Sequence, residues 1–453
     1  MRKLTIGCGQ GFWGDDIDAP RRLIEGADLD YMVMDFLAEI TMSIMQKQKH
    51  RDQHAGYAAD IIPILRSILP TAVKKGTKIV TNAGGVNPTA CARAIVALAK
   101  ELGLADFVKV GVVVGDDLMP NMEQIAASEA LTNMDTGRPF SDIRDSVVSA
   151  NAYLGAEPIR AALALGSTVV ICGRSTDTAL TLAPLMHEFN WAPDDWDRMA
   201  AGILAGHLLE CSAQVTGGNH QAAWKTVPGL DEVGYPIVEV EESGAMTLTK
   251  PEGTGGLVTE ATATEQLLYE IGDPRAVLTP DVTVDWTSFT IAQAGADRVR
   301  LVGAKGYPAP ETLKVSAAYE DGYSTVLMWP YAWPDTVAKA KAAISKIEHT
   351  VKRLGLELDA TRADVVGLNA IHGRRMGTPL VEPPEVIVRY AARSTSRKDI
   401  ERLAIEVAPM LFGPPGQAGF VAGGRGRVSQ IVSYWPALIS RGAIAPRAEL
   451  VEA

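Results

Sequence analysis

Cysteine is scarce in this sequence: 453 residues hold four, Cys8, Cys91, Cys172 and Cys211, with no C-x-x-C pair among them. That excludes a disulfide framework and a cysteine-based zinc site, and it fits a reducing, cytoplasmic setting. Positive charge is also in deficit. A formal net charge of -11 argues against a partner nucleic acid or an anionic membrane surface. No apolar run reaches the ~18 residues that a spanning helix needs. The first residues already read as strand, so no secretory leader is expected. The patterns G-x-S-x-G, H-E-x-x-H and G-K-[ST] do not occur, which leaves the common hydrolase, zinc-protease and P-loop readings without support. No internal repeat, low-complexity tract or heptad pattern is present.

What is there describes an enzyme-sized globular chain. Hydrophobic residues make up 47% and charged residues 21%, enough for a large core and for two or three domains of ~100–200 residues each. The chain is organised around its first strand, Lys3 to Gly7, and the loop that leaves it. Gly9, Gly11 and Gly14 fit a G-x-G-x-x-G spacing. Such a loop lets backbone approach a ligand and presents N–H groups to an anion. Asp35, 21 residues beyond Gly14, stands where a ribose hydroxyl would be held. Against a dinucleotide stand the bulk of Phe12 and Trp13 and the negative charge of Asp15, Asp16 and Asp18. A nicotinamide-dependent oxidoreductase is therefore the alternative reading.

Apolar strands then alternate with helical stretches through residues 1–230. Leu29–Asp35, Thr77–Thr81, Val108–Val114 and Thr168–Cys172 are continuous apolar runs, which predicts an α/β fold: a mostly parallel sheet with helices on both faces. Ligands of such sheets bind beyond the carboxyl ends of the strands, and here those ends are consistently polar. They are the glycine loop, Asp35 with Glu39, Asn82 with Gly84, Gly85 and Asn87, Asp116 with Asp117, and Arg174 with Asp177. We read them as the lining of one site. Asp35, Asp116 and Asp177 are its candidate acids and bases, since paired carboxylates divide those roles when their surroundings differ. Adjacent Asp116 and Asp117 point in opposite directions on an extended segment, so only one faces the site. Arg174 suits a carboxylate or phosphate. Gly9, Gly11, Gly14, Asn82, Gly84, Gly85 and Asn87 are candidate substrate-binding positions. So are Thr216, Gly217 and Gly218, in a turn ending at His220, a further acid or base near neutral pH. An oxygen-rich ligand set would favour Mg²⁺ or Mn²⁺, although no spacing requires a metal. His207 and Glu210 share a helix face, which reads as a satisfied core histidine. The long interval Pro120–Tyr153 is a lid or an oligomer contact.

From about Tyr235 the texture becomes strand-rich, which predicts a smaller α+β two-layer domain over residues 231–453. Its expected helices are Thr262–Ile271, capped at Thr262, then Trp333–Leu354 and Arg397–Phe412. Strands are expected at Thr312–Tyr319 and Tyr323–Trp329, and a glycine-rich basic tail at Gly413–Arg427.

Several of these blocks, taken in order, are similar to the acyclic terpene utilisation (AtuA) family. They are Trp13-Gly14-Asp15, Asp35-Phe36-Leu37-Ala38-Glu39, Gly56-Tyr57-Ala58, Asn82-Ala83-Gly84-Gly85-Val86-Asn87-Pro88 and Gly115-Asp116-Asp117. Gly173-Arg174-Ser175-Thr176-Asp177, Ala205-Gly206-His207-Leu208-Leu209-Glu210-Cys211, Gln214-Val215-Thr216-Gly217-Gly218 and Gly253-Thr254-Gly255-Gly256 continue the series. The resemblance runs from Met1 to about Phe412. It implies a place in the bacterial breakdown of citronellol- and geraniol-like acyclic terpenes, which passes through branched acyl-CoA esters. It implies no specific reaction. The residues favour a lyase or hydratase acting on a branched acyl-CoA ester or related acid, working as a cytoplasmic homo-oligomer on a small molecule. The third reading is a non-catalytic subunit of an acyl-CoA-processing assembly.

Overall fold

The computed structural model describes residues 2–221, 223–373, 381–419, 421 and 426–451. They fall into two compact units. One takes the chain up to Ala318 and again from Tyr434 onward, the other Tyr319–Ser433.

The first unit opens with β1 (Lys3–Gln10), α1 (Ala19–Gly26), β2 (Tyr31–Met34), α2 (Glu39–Arg51), α3 (Ile61–Lys75), β3 (Lys78–Thr81), α4 (Pro88–Glu101) and β4 (Val110–Val114). It continues with α5 (Met122–Ser128), β5 (Val147–Ala152), α6 (Glu157–Ala164), β6 (Val169–Ile171), α7 (Ala179–Phe189) and α8 (Trp196–Leu209). Then come β7 (Ile237–Glu241), β8 (Met246–Thr249), α9 (Glu260–Leu268), β9 (Val277–Leu278), β10 (Thr283–Asp285), β11 (Thr290–Gly295), β12 (Arg298–Val302), β13 (Lys305–Tyr307) and β14 (Thr312–Ala332).

Strand alternation sends successive side chains to opposite faces and so builds two cores. Tyr31 and Val33 pack with α6, α7 and α8. Met32 and Met34 pack with α1, α3 and α4. The ten-stranded sheet has the order β11-β12-β8-β7-β1-β2-β3-β6-β4-β18. Its central strands β1, β2, β3, β6 and β4 are parallel, as continuous apolar strands covered on both faces predict. Antiparallel strands extend it on both sides: β7, β8, β12 and β11 beyond β1, and β18 (Arg447–Leu450) beside β4. Residue 231 thus lies inside the first unit, because the strand-rich stretch begins by lengthening the same sheet. A separate small sheet has the order β13-β10-β9.

Helix ends follow local chemistry. Asn87 caps α4, with Pro88 at its first position. The expected start of α9 shifts: the cap is Thr259, and Thr262 returns the bond from the third position. The interval 120–153 holds α5 and β5, and its loop is tied down by Met134 N–H to the Pro436 carbonyl and by the Trp435 indole to the Leu131 carbonyl, both at 2.9 Å.

In the second unit, β15 (Ala360–Val366) and β16 (Glu385–Ser394) join β14 and β17 (Ser429–Ser440) in the order β15-β16-β14-β17. β16 alternates buried with less buried positions along its whole length. Val386, Val388 and Tyr390 pack with Ala343 and Ile347 of α10 (Thr336–Leu354) and Ile400 and Leu403 of α11 (Arg397–Glu406). This is the α+β two-layer architecture. The two strands expected between Thr312 and Trp329 are one, with Gly322 taken through at φ +83° inside the strand and no reversal of the chain. α11 stops short of Phe412 because a 3₁₀ turn carrying Pro409 follows. In the glycine-rich tail, residues 420 and 422–425 lie outside the described residues.

Candidate active site

The opening loop is closed by its own side chains. The strand bulges between Cys8 and Gln10, and the Gly11 N–H donates to Asp15 Oδ2 at 2.9 Å. Asp15 also accepts from the Asp16 N–H and from the Tyr235 hydroxyl. Asp16 and Asp18 pair with Arg22 and Arg21. A Cβ on Gly11 would lie 2.8 Å from the Ser212 nitrogen and 2.9 Å from the Glu210 oxygen. Gly9 is similarly pressed by Met32 and Met34. Only Gly14, at φ +102°, borders open space. The loop's glycines allow close packing. The Gly11 and Asp16 N–H groups, which a pyrophosphate would need, are occupied by Asp15.

The other strand ends meet around Arg174, which follows β6. The guanidinium is 3% exposed. Nη1 donates to the Leu37 carbonyl at 2.8 Å and lies 3.2 Å from Asp177 Oδ1, a charge contact without hydrogen-bond alignment. Nε has no partner, and Asp177 Oδ1 and Thr178 Oγ1 likewise lack hydrogen-bond partners. The Tyr153 ring covers the guanidinium at 4.1 Å. Burial opposes the charge on Arg174, but Asp177, Tyr153, Asp35 and Glu39 hold it protonated.

Asp35, at the end of β2, is 5% exposed. Its Oδ1 accepts from the Leu37 N–H at 2.9 Å and from Asn82 Nδ2 at 2.7 Å. Asn82 Oδ1 in turn accepts from the Phe36 N–H at 2.8 Å, so this amide clamps the turn that carries Asp35. Burial and the charge of Asp177 push the Asp35 carboxyl well above the usual range, against the pull of Arg174 and Asn82. On the open side, Glu39 accepts from the Tyr153 hydroxyl at 2.7 Å and pairs with Lys314 at 3.4 Å. Burial would raise the Glu39 carboxyl, but Tyr153, Arg174 and Lys314 hold it low.

Asp116, at the end of β4, has a different place. Its Oδ2 accepts the Arg174 N–H at 2.8 Å and Asn151 Nδ2 at 2.9 Å, and burial raises it to about 6. It fixes the backbone of the arginine turn, and Gly173 leaves room for it. Asp117 accepts the Met119 N–H. Gly84 packs against the Cys172 carbonyl, and Gly85, at φ +52°, against Met45 and the Gly56 carbonyl. The Asn87 side chain holds the Gln53 and Ala55 carbonyls besides capping α4. Thr216 bonds the Ala213 carbonyl, Gly217 adopts φ +122° against Val227, and Gly218 abuts the Ala213 carbonyl. His220 pairs with Glu265 at 3.1 Å, and no described contact joins it to Arg174 or Asp35.

Sequence reasoning left out Tyr153, Lys314 and Tyr434. Their meeting follows from Tyr153 N–H bonding the Lys314 carbonyl at 2.9 Å, and the Lys314 ammonium lies over the Tyr153 and Tyr434 rings. No local pattern announces this, because the residues are far apart in the chain. Among the described residues no three His, Cys, Asp or Glu side chains are grouped to hold a metal ion. No helix among them is long and apolar enough to cross a membrane.

These features define an α/β protein with an acid-rich cluster and a buried arginine at the carboxyl ends of its parallel strands. The family model described as acyclic terpene utilisation family protein AtuA matches residues 4–450. The chain belongs to that family. No curated protein and no solved structure matches it.

Proposed function

We propose that this protein is a hydratase or lyase acting on a branched acyl-CoA ester, or the related carboxylic acid, in acyclic terpene breakdown. One observation carries the reading: a buried guanidinium with an unpartnered Nε stands beside a buried carboxyl group, Asp35, whose burial and the nearby Asp177 charge favour its protonated form. Membership of a family named for acyclic terpene utilisation supports a terpene-derived substrate. In the hydration direction, water oxygen bonds to the β-carbon of a conjugated double bond while a base takes the water proton. The displaced electron pair moves to the carbonyl oxygen, which the arginine stabilises as an enolate. The enolate α-carbon then takes the Asp35 proton. Elimination is the reverse. The carboxylate of Asp177 serves as counter-ion to Arg174, and Asp116 is engaged by backbone. The committed loop of β1 speaks against the dinucleotide alternative.

The test is incubation with branched α,β-unsaturated acyl-CoA esters and with their free acids, reading hydrated product by mass spectrometry and loss of the conjugated chromophore. Turnover that is lost in folded Asp35→Asn and Arg174→Lys variants is expected. A folded wild-type protein that turns over none of these, in either direction, overturns the reading.

A further inference from the structure

Resting on the function proposed above, we infer that Glu39 is the base that takes the water proton in this cleft and that Tyr153 is its positioning residue. Hydrogen bonds and ring contacts place the Glu39 carboxylate there. Arg174 Nη1 donates to the Leu37 carbonyl at 2.8 Å, and the Leu37 N–H donates to Asp35 Oδ1 at 2.9 Å. Leu37 stands midway between Asp35 and Glu39 in the chain, so one short stretch carries both carboxyl groups past the guanidinium. The guanidinium carbon lies 4.1 Å from the centre of the Tyr153 ring, and the hydroxyl of that ring donates to Glu39 Oε1 at 2.7 Å. Guanidinium, ring and carboxylate form one continuous chain of contacts.

Local structure explains the meeting. Glu39 is the first residue of α2, where a helix favours a carboxylate, and the Ala38 N–H donates to Thr41 Oγ1 at 2.9 Å to fix that start. Tyr153 is pinned by main chain: its N–H bonds the Lys314 carbonyl at 2.9 Å, and the Leu154 N–H bonds the Arg174 carbonyl at 3.3 Å. Lys314 Nζ donates to Glu39 Oε1 at 3.4 Å. Both bonds to the Glu39 side chain fall on Oε1, and Oε2 accepts none among the described residues. The Glu39 side chain is 38% exposed, so water reaches it, whereas Asp35 is buried. The charged and titratable groups facing Glu39 are Tyr153, Arg174, Lys314 and Tyr434. Burial opposes its charge, but Tyr153, Arg174 and Lys314 outweigh burial and keep it ionised. Burial and Asp177 favour the protonated form of Asp35. Two carboxyl groups driven apart in this way divide the roles of base and acid.

The reaction needs two proton transfers of opposite sense. Glu39 Oε2 takes one proton of the attacking water as the water oxygen bonds to the β-carbon. The electron pair of the double bond moves to the carbonyl oxygen, and the α-carbon of the resulting enolate takes the Asp35 proton. Glu39 then releases its proton to solvent and Asp35 regains one, so the net change is the addition of one water.

Steady-state kinetics with a branched α,β-unsaturated acyl-CoA ester, run on folded variants across pH, test both roles. Glu39→Gln should lower kcat roughly 100-fold with little change in KM. Tyr153→Phe keeps the ring over Arg174 and removes only the hydroxyl that helps hold Glu39 ionised. A base works only when ionised, and without that hydroxyl Glu39 takes its proton at higher pH. The fall of kcat/KM on the acid side should therefore move to higher pH in Tyr153→Phe. A folded Glu39→Gln with wild-type kcat overturns the base, and a Tyr153→Phe profile that coincides with the wild type overturns the positioning role. If Asp35→Asn and Arg174→Lys lose turnover while Glu39→Gln keeps it, the reaction proposed above stands and Glu39 alone is excluded. Absence of wild-type turnover overturns that reaction, and Glu39 as its base falls with it.

Discussion

In the Gly11–Asp18 loop each of the three acids has a donor: Asp15 takes two N–H groups and the Tyr235 hydroxyl, Asp16 takes Arg22, and Asp18 takes Arg21 and Arg22. In the Gly173–Thr178 turn, Arg174 Nε, Asp177 Oδ1 and Thr178 Oγ1 are buried without hydrogen-bond partners. Both segments follow central parallel strands, and both carry glycine and charged residues. A buried polar group left unsatisfied costs about 1–3 kcal/mol, and native proteins keep few of them without a reason. The contrast separates a loop completed by folding from a turn that keeps unpartnered polar groups, which is what the function proposed above draws on.

The sharpest break of this comparison is Arg174→Lys. Lysine keeps the charge but loses the planar fork, and turnover should fall roughly 1000-fold by steady-state assay; an unchanged rate would erase the distinction. Asp35→Asn should cost roughly 100-fold in kcat. It should leave thermal stability at pH 8 equal or higher, because the neutral amide mimics the protonated carboxyl that burial favours. On the satisfied side, Gly11→Ala should lower unfolding stability by about 1–3 kcal/mol in urea titration, since its Cβ meets backbone that cannot yield.

A second buried carboxylate extends the comparison. Asp281 accepts the Ala156 N–H through Oδ1 at 2.8 Å, while Oδ2 lacks a partner, and burial raises it to about 6. Its folded value lies above the unfolded one. Its contribution is therefore fully present below about pH 4 and is lost as pH rises through 6. Asp281→Asn should flatten the fall in melting temperature between about pH 4 and 6, and an identical fall in both proteins would show that another group is responsible. The smallest effect is expected at Gly14→Ala. Its left-handed φ costs about 1 kcal/mol, but its Cβ meets nothing within 4 Å, so activity should stay at the wild-type level.

Much of the fold was legible in the chain because it depends on local period. Continuous apolar runs at Leu29–Asp35 and Thr168–Cys172 mark strands buried on two faces, and Ile61, Ile64, Leu65 and Ile68 mark one side of α3. The capping of α9 by Thr259 was missed because Thr262 carries the same hydroxyl chemistry. The single long β14 was missed because Glu320-Asp321-Gly322 has turn composition, and only pairing with β16 shows the strand continuing.

The sequence by itself determined that polar residues follow each central strand, since apolar runs end where Asp35, Asn82, Asp116 and Arg174 begin. It also determined family membership, through many short blocks in fixed order. Only the tertiary structure decided which of these groups meet. The order β1-β2-β3-β6-β4 sets β6 between β3 and β4, and that places Arg174 against Leu37 on one side and Asp116 on the other. Whether an N–H stays available or is taken by a nearby carboxylate is likewise a matter of packing and distance. Composition carries no record of either, and so the same glycine-rich spelling can end as a closed loop.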